Sequence, residues 1–212
     1  CGTCRWMIDA RGCLTIAPME GANSGELSYW KDAPWYDYRD SITSAQIKDG
    51  VVAATTFRMF RNCSRLISVD LSGLDTSKVT EMGREDTWES GMFSGCSRLA
   101  SLDLSSLDTS NVTSMGCMFE GCSSLSSLDP SGLDTSNVTY MRDMFYGCSS
   151  LKSVSLSQKF SFTGRGITRQ CKLPKPLEKK GYTGLWVSAT DGAVYTPDEI
   201  PNYVAATYTA QI

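Results

Sequence analysis

The residues whose type and spacing could do chemistry are carboxylates set in columns and an unusual number of cysteines. Asp70, Asp103 and Asp129 hold one place in three related stretches, "LISVDLSGLDTS", "LASLDLSSLDTS" and "LSSLDPSGLDTS". In all three, the Asp lies between two inward residues, so on a strand it points outward. Aligned strands would stack these charges about 4.8 Å apart, where neighbours repel by about 0.9 kcal/mol even in bulk water. A cation, a basic ligand group, or the hydroxyls of Ser101, Ser105, Ser127 and Ser131 would relieve that repulsion. No loop has calcium-ligand spacing, so hydroxyls and water are the plainer account, and no metal or other cofactor is expected. Asp75, Asp108 and Asp134 form a second column, each opening a "DTS" turn that suits a capping role.

The chain has no His, which removes the commonest general base, the usual partner of a Ser or Cys nucleophile, and the commonest metal ligand. A carboxylate hydrolase needs two acids in unequal surroundings, whereas a repeat column makes its members alike. The chain is therefore expected not to be an enzyme. Of the nine cysteines, Cys63, Cys96, Cys122 and Cys148 each follow Asn or Gly and precede Ser. Such residues stack in a repeat array and read as buried thiols. Cys1, Cys4, Cys13 and Cys171 lie outside the repeats, and Cys117 is an extra within one. Cys1-x-x-Cys4 has no second pair at zinc spacing, and a disulfide joining Cys4 and Cys13 across a hairpin would suit an exported protein.

A net charge of −3 offers no excess of basic residues for phosphates, which argues against nucleic acid. No apolar run reaches the roughly 18 residues of a membrane span, so no membrane insertion is expected. Beginning at Cys1 without Met, the sequence reads as a piece of a longer chain.

These residues are positioned by a repeat. "LDTSNVTSMGCMFEGCSSL", from Leu107, returns 26 residues later as "LDTSNVTYMRDMFYGCSSL", from Leu133. Units begin at Leu66, Leu99 and Leu125, with a decaying one from Leu151, and a divergent first unit from Ile42 carries Met59, Phe60 and Cys63. Leu99, Leu102, Leu104 and Leu107 have the spacing of a leucine-rich-repeat strand, and Val112, Met115, Phe119 and Cys122 that of one helix face. The expectation is an α/β solenoid: a leucine-rich-repeat-like right-handed coil with short parallel strands and short helical segments, capped by β-hairpins at both ends. It divides into an N-terminal cap over 1–41, an array of four to five coils over 42–165, and a connector with C-terminal hairpin over 166–212. The Met and Phe columns read as core, and the aromatic run "YWKDAPWYDY" as a cover for the first coil. Pro130 replaces a strand Leu and has no N–H, so a strand there should end early.

What varies between units is the functional clue. Ser114, Gly116, Cys117 and Glu120 become Tyr140, Arg142, Asp143 and Tyr146. On a helix whose inner face is Val112, Met115 and Phe119, all of these would be exposed, and Tyr and Arg anchor protein interfaces. Trp88 lies in an insertion, "REDTWES", which a stacked array extrudes as a loop. The candidate ligand-binding residues are thus Trp88, Tyr140, Arg142, Asp143 and Tyr146, with Asp70, Asp103 and Asp129 as a secondary surface.

The stretch "LDLSSLDTSNVTSMGCMFEGCSSL" resembles the repeat of the BspA-like leucine-rich-repeat surface proteins of mouth and gut bacteria. The resemblance runs from Phe57 to Leu156 and brings no catalytic residue. It implies a wall-attached or secreted adhesin that binds host matrix proteins, host cells or other bacteria. The resulting expectation is a non-catalytic extracellular module that binds a protein partner. A carbohydrate-binding domain and a structural spacer are the alternatives.

Overall fold

The computed structural model describes residues 2–29, 31–84, 91–162, 171–177 and 181–212. Alternating residues at the N-terminus form β1 (Cys4–Ile8) and β2 (Cys13–Pro18), an antiparallel pair. Gly12 turns the chain between them at a φ of 83°, a conformation that costs a side chain but not glycine. Cys4 lies opposite Pro18, so Cys4 and Cys13 sit at opposite ends of the hairpin, on the order of 15 Å apart by strand rise. A disulfide spans at most about 7 Å between Cα atoms, so these two cysteines do not pair with each other.

After β3 (Gly25–Leu27) comes a short 3-10 helix, Tyr36–Ser41, then β4 (Ser44–Ile47), β5 (Val51–Ala53), β6 (Ser68–Asp70) and β7 (Leu74–Asp75). One sheet has the order β1-β2-β4-β6 and another β3-β5-β7, all parallel except the opening hairpin. β8 (Glu81–Gly83) pairs in parallel with β9 (Ser114–Met115). The last sheet joins β10 (Ser127–Leu128), β11 (Ser153–Leu156), β12 (Trp186–Ser188), β13 (Val194–Tyr195) and β14 (Ala206–Ala210) in the order β10-β11-β14-β12-β13. Here β14 enters between β11 and β12, antiparallel to both. β10 stops at Leu128, two residues before Pro130.

The expected α/β solenoid is overturned. Among the described residues there is no α-helix, one short 3-10 helix, and fourteen strands in four separate small sheets, with no closed coil. The stretch expected to be helical shows why. Cys117 and Gly121 have φ of 56° and 72°, and the equivalent Asp143 and Gly147 have 58° and 76°. Two left-handed residues four positions apart prevent the i to i−4 bonding of a helix. The amides bond instead in tight turns, as Cys122 N–H does to the Phe119 carbonyl, or to the following unit.

One hydrophobic core runs from Cys4 to Tyr208. Its spine is a column of rings, Phe60, Phe93, Phe119 and Phe145, with successive centroids 5.4, 6.1 and 5.8 Å apart and planes within 16°. Beside it the buried thiols of Cys96, Cys122 and Cys148 donate to the carbonyls of Phe60, Phe93 and Phe119 at 3.1, 3.3 and 3.1 Å. A column of buried threonines ties the other side. Thr76 Oγ1 donates to the Asp108 carbonyl and accepts the Asp108 N–H, and Thr109 does the same with Asp134.

Candidate binding groove at the end of the repeats

The Asp columns satisfy themselves. Asp70, Asp103 and Asp129 each accept the amide two residues on, from Ser72, Ser105 and Ser131 at 3.0, 2.9 and 3.0 Å. Asp103 and Asp129 do lie side by side, joined by a parallel bridge. The Ser72 hydroxyl and amide hold the Asp70 carboxyl below its ordinary value, and the Ser105 amide and hydroxyl do so for Asp103. Asp75, Asp108 and Asp134 accept from Ser77, Ser110 and Ser136 in the same way, closing turns rather than helix ends. No group of three or more Cys, Asp or Glu among the described residues could hold a metal ion.

The substituted positions separate into packing and display. Tyr140 is half-buried, and its ring fills the space a side chain on Gly116 would need: a Cβ there would lie 2.4 Å from Tyr140 Cε1. The expected exposure of Gly116 and Cys117 is corrected, since both are buried. The cause is the same left-handed turn that displaced the helix, which swings Cys117 inward. Arg142 and Asp143 are half-buried and paired with each other at 3.0 Å. Tyr146 alone among these positions stands free, 66% exposed. Trp88 lies outside the described residues.

Asp143 and Tyr146 meet in a groove of about 460 Å³ at the end of the repeats. Its floor is the turn from Asp143 to Ser149, and its far wall is the connector from Lys172 to Leu177 with Pro197 and Asp198. Composition explains the wall. Pro174 and Pro176 keep the connector extended and remove its own amides from pairing. The Pro174 carbonyl accepts the indole N–H of buried Trp186 at 3.1 Å. Cys171 is buried beside Met144, and burial pushes its thiol up, so it serves as packing. Lys172 is paired with Asp198 at 3.2 Å across the rim.

The groove also lies where, among the described residues, a backbone ladder ends. Met115, Cys117, Phe119 and Gly121 donate their amides to the carbonyls of Tyr140, Arg142, Met144 and Tyr146 in the next unit. Phe93 and Gly95 donate likewise to Met118 and Glu120, and Phe60 and Asn62 to Met92 and Ser94. At the other end Trp35 stands in for a preceding unit, its indole N–H donating to the Met59 carbonyl at 2.8 Å. Trp35 is fully buried against Trp6 and Tyr29, the cover expected of the aromatic run. Sequence reasoning placed Asp143 and Tyr146 together but missed the connector wall, although "KLPKPL" with its two prolines was a signal for an extended segment.

A second cavity, of about 550 Å³, lies at the opposite end between the opening hairpin turn and the 3-10 helix. Trp6 and Tyr38 line it, their ring centroids 5.7 Å apart, together with Asp9, Arg11, Ser41 and Arg65.

A family model described as "Mycoplasma protein of unknown function, DUF285" matches residues 54–162, which carry the Met, Phe and Cys columns. No curated protein matches the chain. Among solved structures it is similar to a leucine-rich cell surface protein from Faecalibacterium prausnitzii A2-165, at 16% identity and a TM-score of 0.28. That match covers 92% of this chain and 59% of the other, so the chain spans less than two thirds of that protein's length. No described helix is long and apolar enough to cross a membrane.

Proposed function

The chain belongs to the family described as Mycoplasma protein of unknown function, DUF285, and from that premise we propose that it is a non-catalytic protein-binding module of a bacterial surface protein. The observation that carries this reading is the groove at the end of the repeats, where exposed Tyr146 faces an extended wall of Leu173, Pro174 and Leu177. Interface anchors are aromatic side chains in such settings, apolar in body and polar at the tip. The extracellular setting follows from the resemblance of the repeat to bacterial surface adhesins. The partner is then a host matrix or mucosal protein, or a protein on another bacterium.

The test passes such proteins over the immobilised chain beside a Tyr146→Ala variant, with thermal melting to confirm that both are folded. Binding to the first and a loss of about tenfold or more in the second is the expected result for an aromatic anchor. Equal binding by both moves the site elsewhere, and no binding by either leaves a structural spacer as the better reading. A carbohydrate is the second reading, favoured by the Trp6 and Tyr38 rings in the N-terminal cavity. A glycan panel read against Tyr38→Ala distinguishes it, because that residue lies outside the Tyr146 groove.

A further inference from the structure

The ladder of backbone amides runs in one direction, and among the described residues its last unit donates to no further one. In the unit before the last, Cys117, Phe119 and Gly121 all donate to the following unit. Their equivalents Asp143, Phe145 and Gly147 donate to no acceptor among the described residues, and all three line the groove. They are alternate residues, so their donors are set at the spacing that the preceding units already use to hold a neighbouring segment. A backbone row with no acceptor among the described residues, set beside an apolar wall, matches the arrangement by which folded domains add a partner's chain.

We propose that the groove receives a segment of a partner polypeptide through its backbone carbonyls, which accept the amides of Asp143, Phe145 and Gly147, while Tyr146 and Leu177 cover its side chains. This rests on the reading of the groove as the binding site, and it names the chemistry of what is bound. A second copy of this chain is a poor occupant. The Met59 carbonyl, which matches the accepting carbonyls of Met92, Met118 and Met144, is already taken by Trp35. A second copy would therefore have to displace Trp35 to offer that carbonyl. Backbone recognition also sets the specificity: it selects shape and apolar side chains at alternate positions, and tolerates many sequences.

The experiment is amide hydrogen exchange, read residue by residue by NMR on the whole chain. The probe is a synthetic peptide of residues 140–150, "YMRDMFYGCSS", since this segment is what the preceding unit binds through its carbonyls. Without peptide, Asp143, Phe145 and Gly147 should exchange at least about a hundredfold faster than Cys117, Phe119 and Gly121. With peptide at about millimolar concentration they should slow, and replacing two of its amide links by esters, whose carbonyls accept more weakly, should weaken binding about tenfold. Slow exchange in the free chain would mean the donors are already satisfied and overturns the proposal. So would exchange unmoved by the peptide, or equal binding of the ester form. If a matrix protein binds in a Tyr146-dependent way while these amides stay fast, side chains alone make the site. The functional reading then survives and this inference fails.

Discussion

Replacing Thr109 by Val tests whether polar ties between units, and not only apolar stacking, hold the array together. Thr109 is 2% exposed, and its Oγ1 donates to the Asp134 carbonyl at 3.0 Å while accepting the Asp134 N–H at 2.7 Å. Val keeps the shape and removes both bonds. Each bond contributes about 0.5–1.5 kcal/mol net, and a buried amide left without an acceptor costs about 1–3 kcal/mol. The added methyl recovers up to about 0.8 kcal/mol of burial, so the expected loss is about 2–3 kcal/mol. In a chain of this size that lowers Tm by about 4–12 °C. The assay is thermal and urea unfolding beside two comparisons. Thr109→Ser keeps the hydroxyl and loses only a methyl, so it should cost less than Thr109→Val. Thr113→Val removes the exposed bond from Thr113 to the Thr80 carbonyl and should cost under about 0.5 kcal/mol. A Ser variant less stable than the Val variant would refute the reasoning, because packing would then outweigh the bonds.

Three further outcomes are expected. Gly147→Ala should lose about 1–2 kcal/mol, since φ is 76° and the new Cβ would lie 3.2 Å from the Gly121 backbone; Gly132→Ala, with no atom closer than 3.4 Å, is the control that should melt near the parent. In native protein at pH 8, iodoacetamide should label half-buried Cys13 well before Cys63, Cys96, Cys122 or Cys148, because burial covers the column and pushes the Cys63 and Cys148 thiols up to about 12; mass spectrometry reads the order, and equal labelling contradicts it. Side-chain and amide hydrogen bonds from Ser72 and Ser110 hold the Asp70 and Asp108 carboxyls below their ordinary 3.8. Their stabilisation is complete above that value and disappears as pH falls through the lower folded values. Unfolding midpoints should thus fall below about pH 4, and a Ser72→Ala, Ser110→Ala variant should move both carboxyls back up in an NMR titration.

The spacing of Met, Phe and Cys identified the core columns, because burial at a fixed period is a property of side-chain type and survives any backbone path. The helix did not survive. Val112, Met115, Phe119 and Cys122 fit one helical face, yet the same spacing arises when alternate amides bond the next unit through left-handed residues. Gly121 and Gly147 announced half of that pattern; Cys117 and Asp143 hid the other half, since neither residue type requires a positive φ. The candidate site was legible only in part for a related reason. Asp143 and Tyr146 were visible as departures from the repeat, but the groove also needs the connector, whose partner in space no local pattern names. The Thr column was equally hidden, since "DTS" reads as a turn whether the hydroxyl faces water or the next unit.

The placement of β14 makes assembly depend on the order in which the chain is synthesised. Ala206–Ala210 fills the gap between β11 and β12, both made earlier. Until those residues emerge, the edges of β11 and β12 stand open, the condition under which nascent chains adhere to one another. The repeats can stack as they appear, but the terminal sheet closes only after Ala210 is available. A stop codon or protease cut a few residues short of it would therefore leave an intact array with an adhesive end, detectable as self-association by a chain in which every repeat is still native.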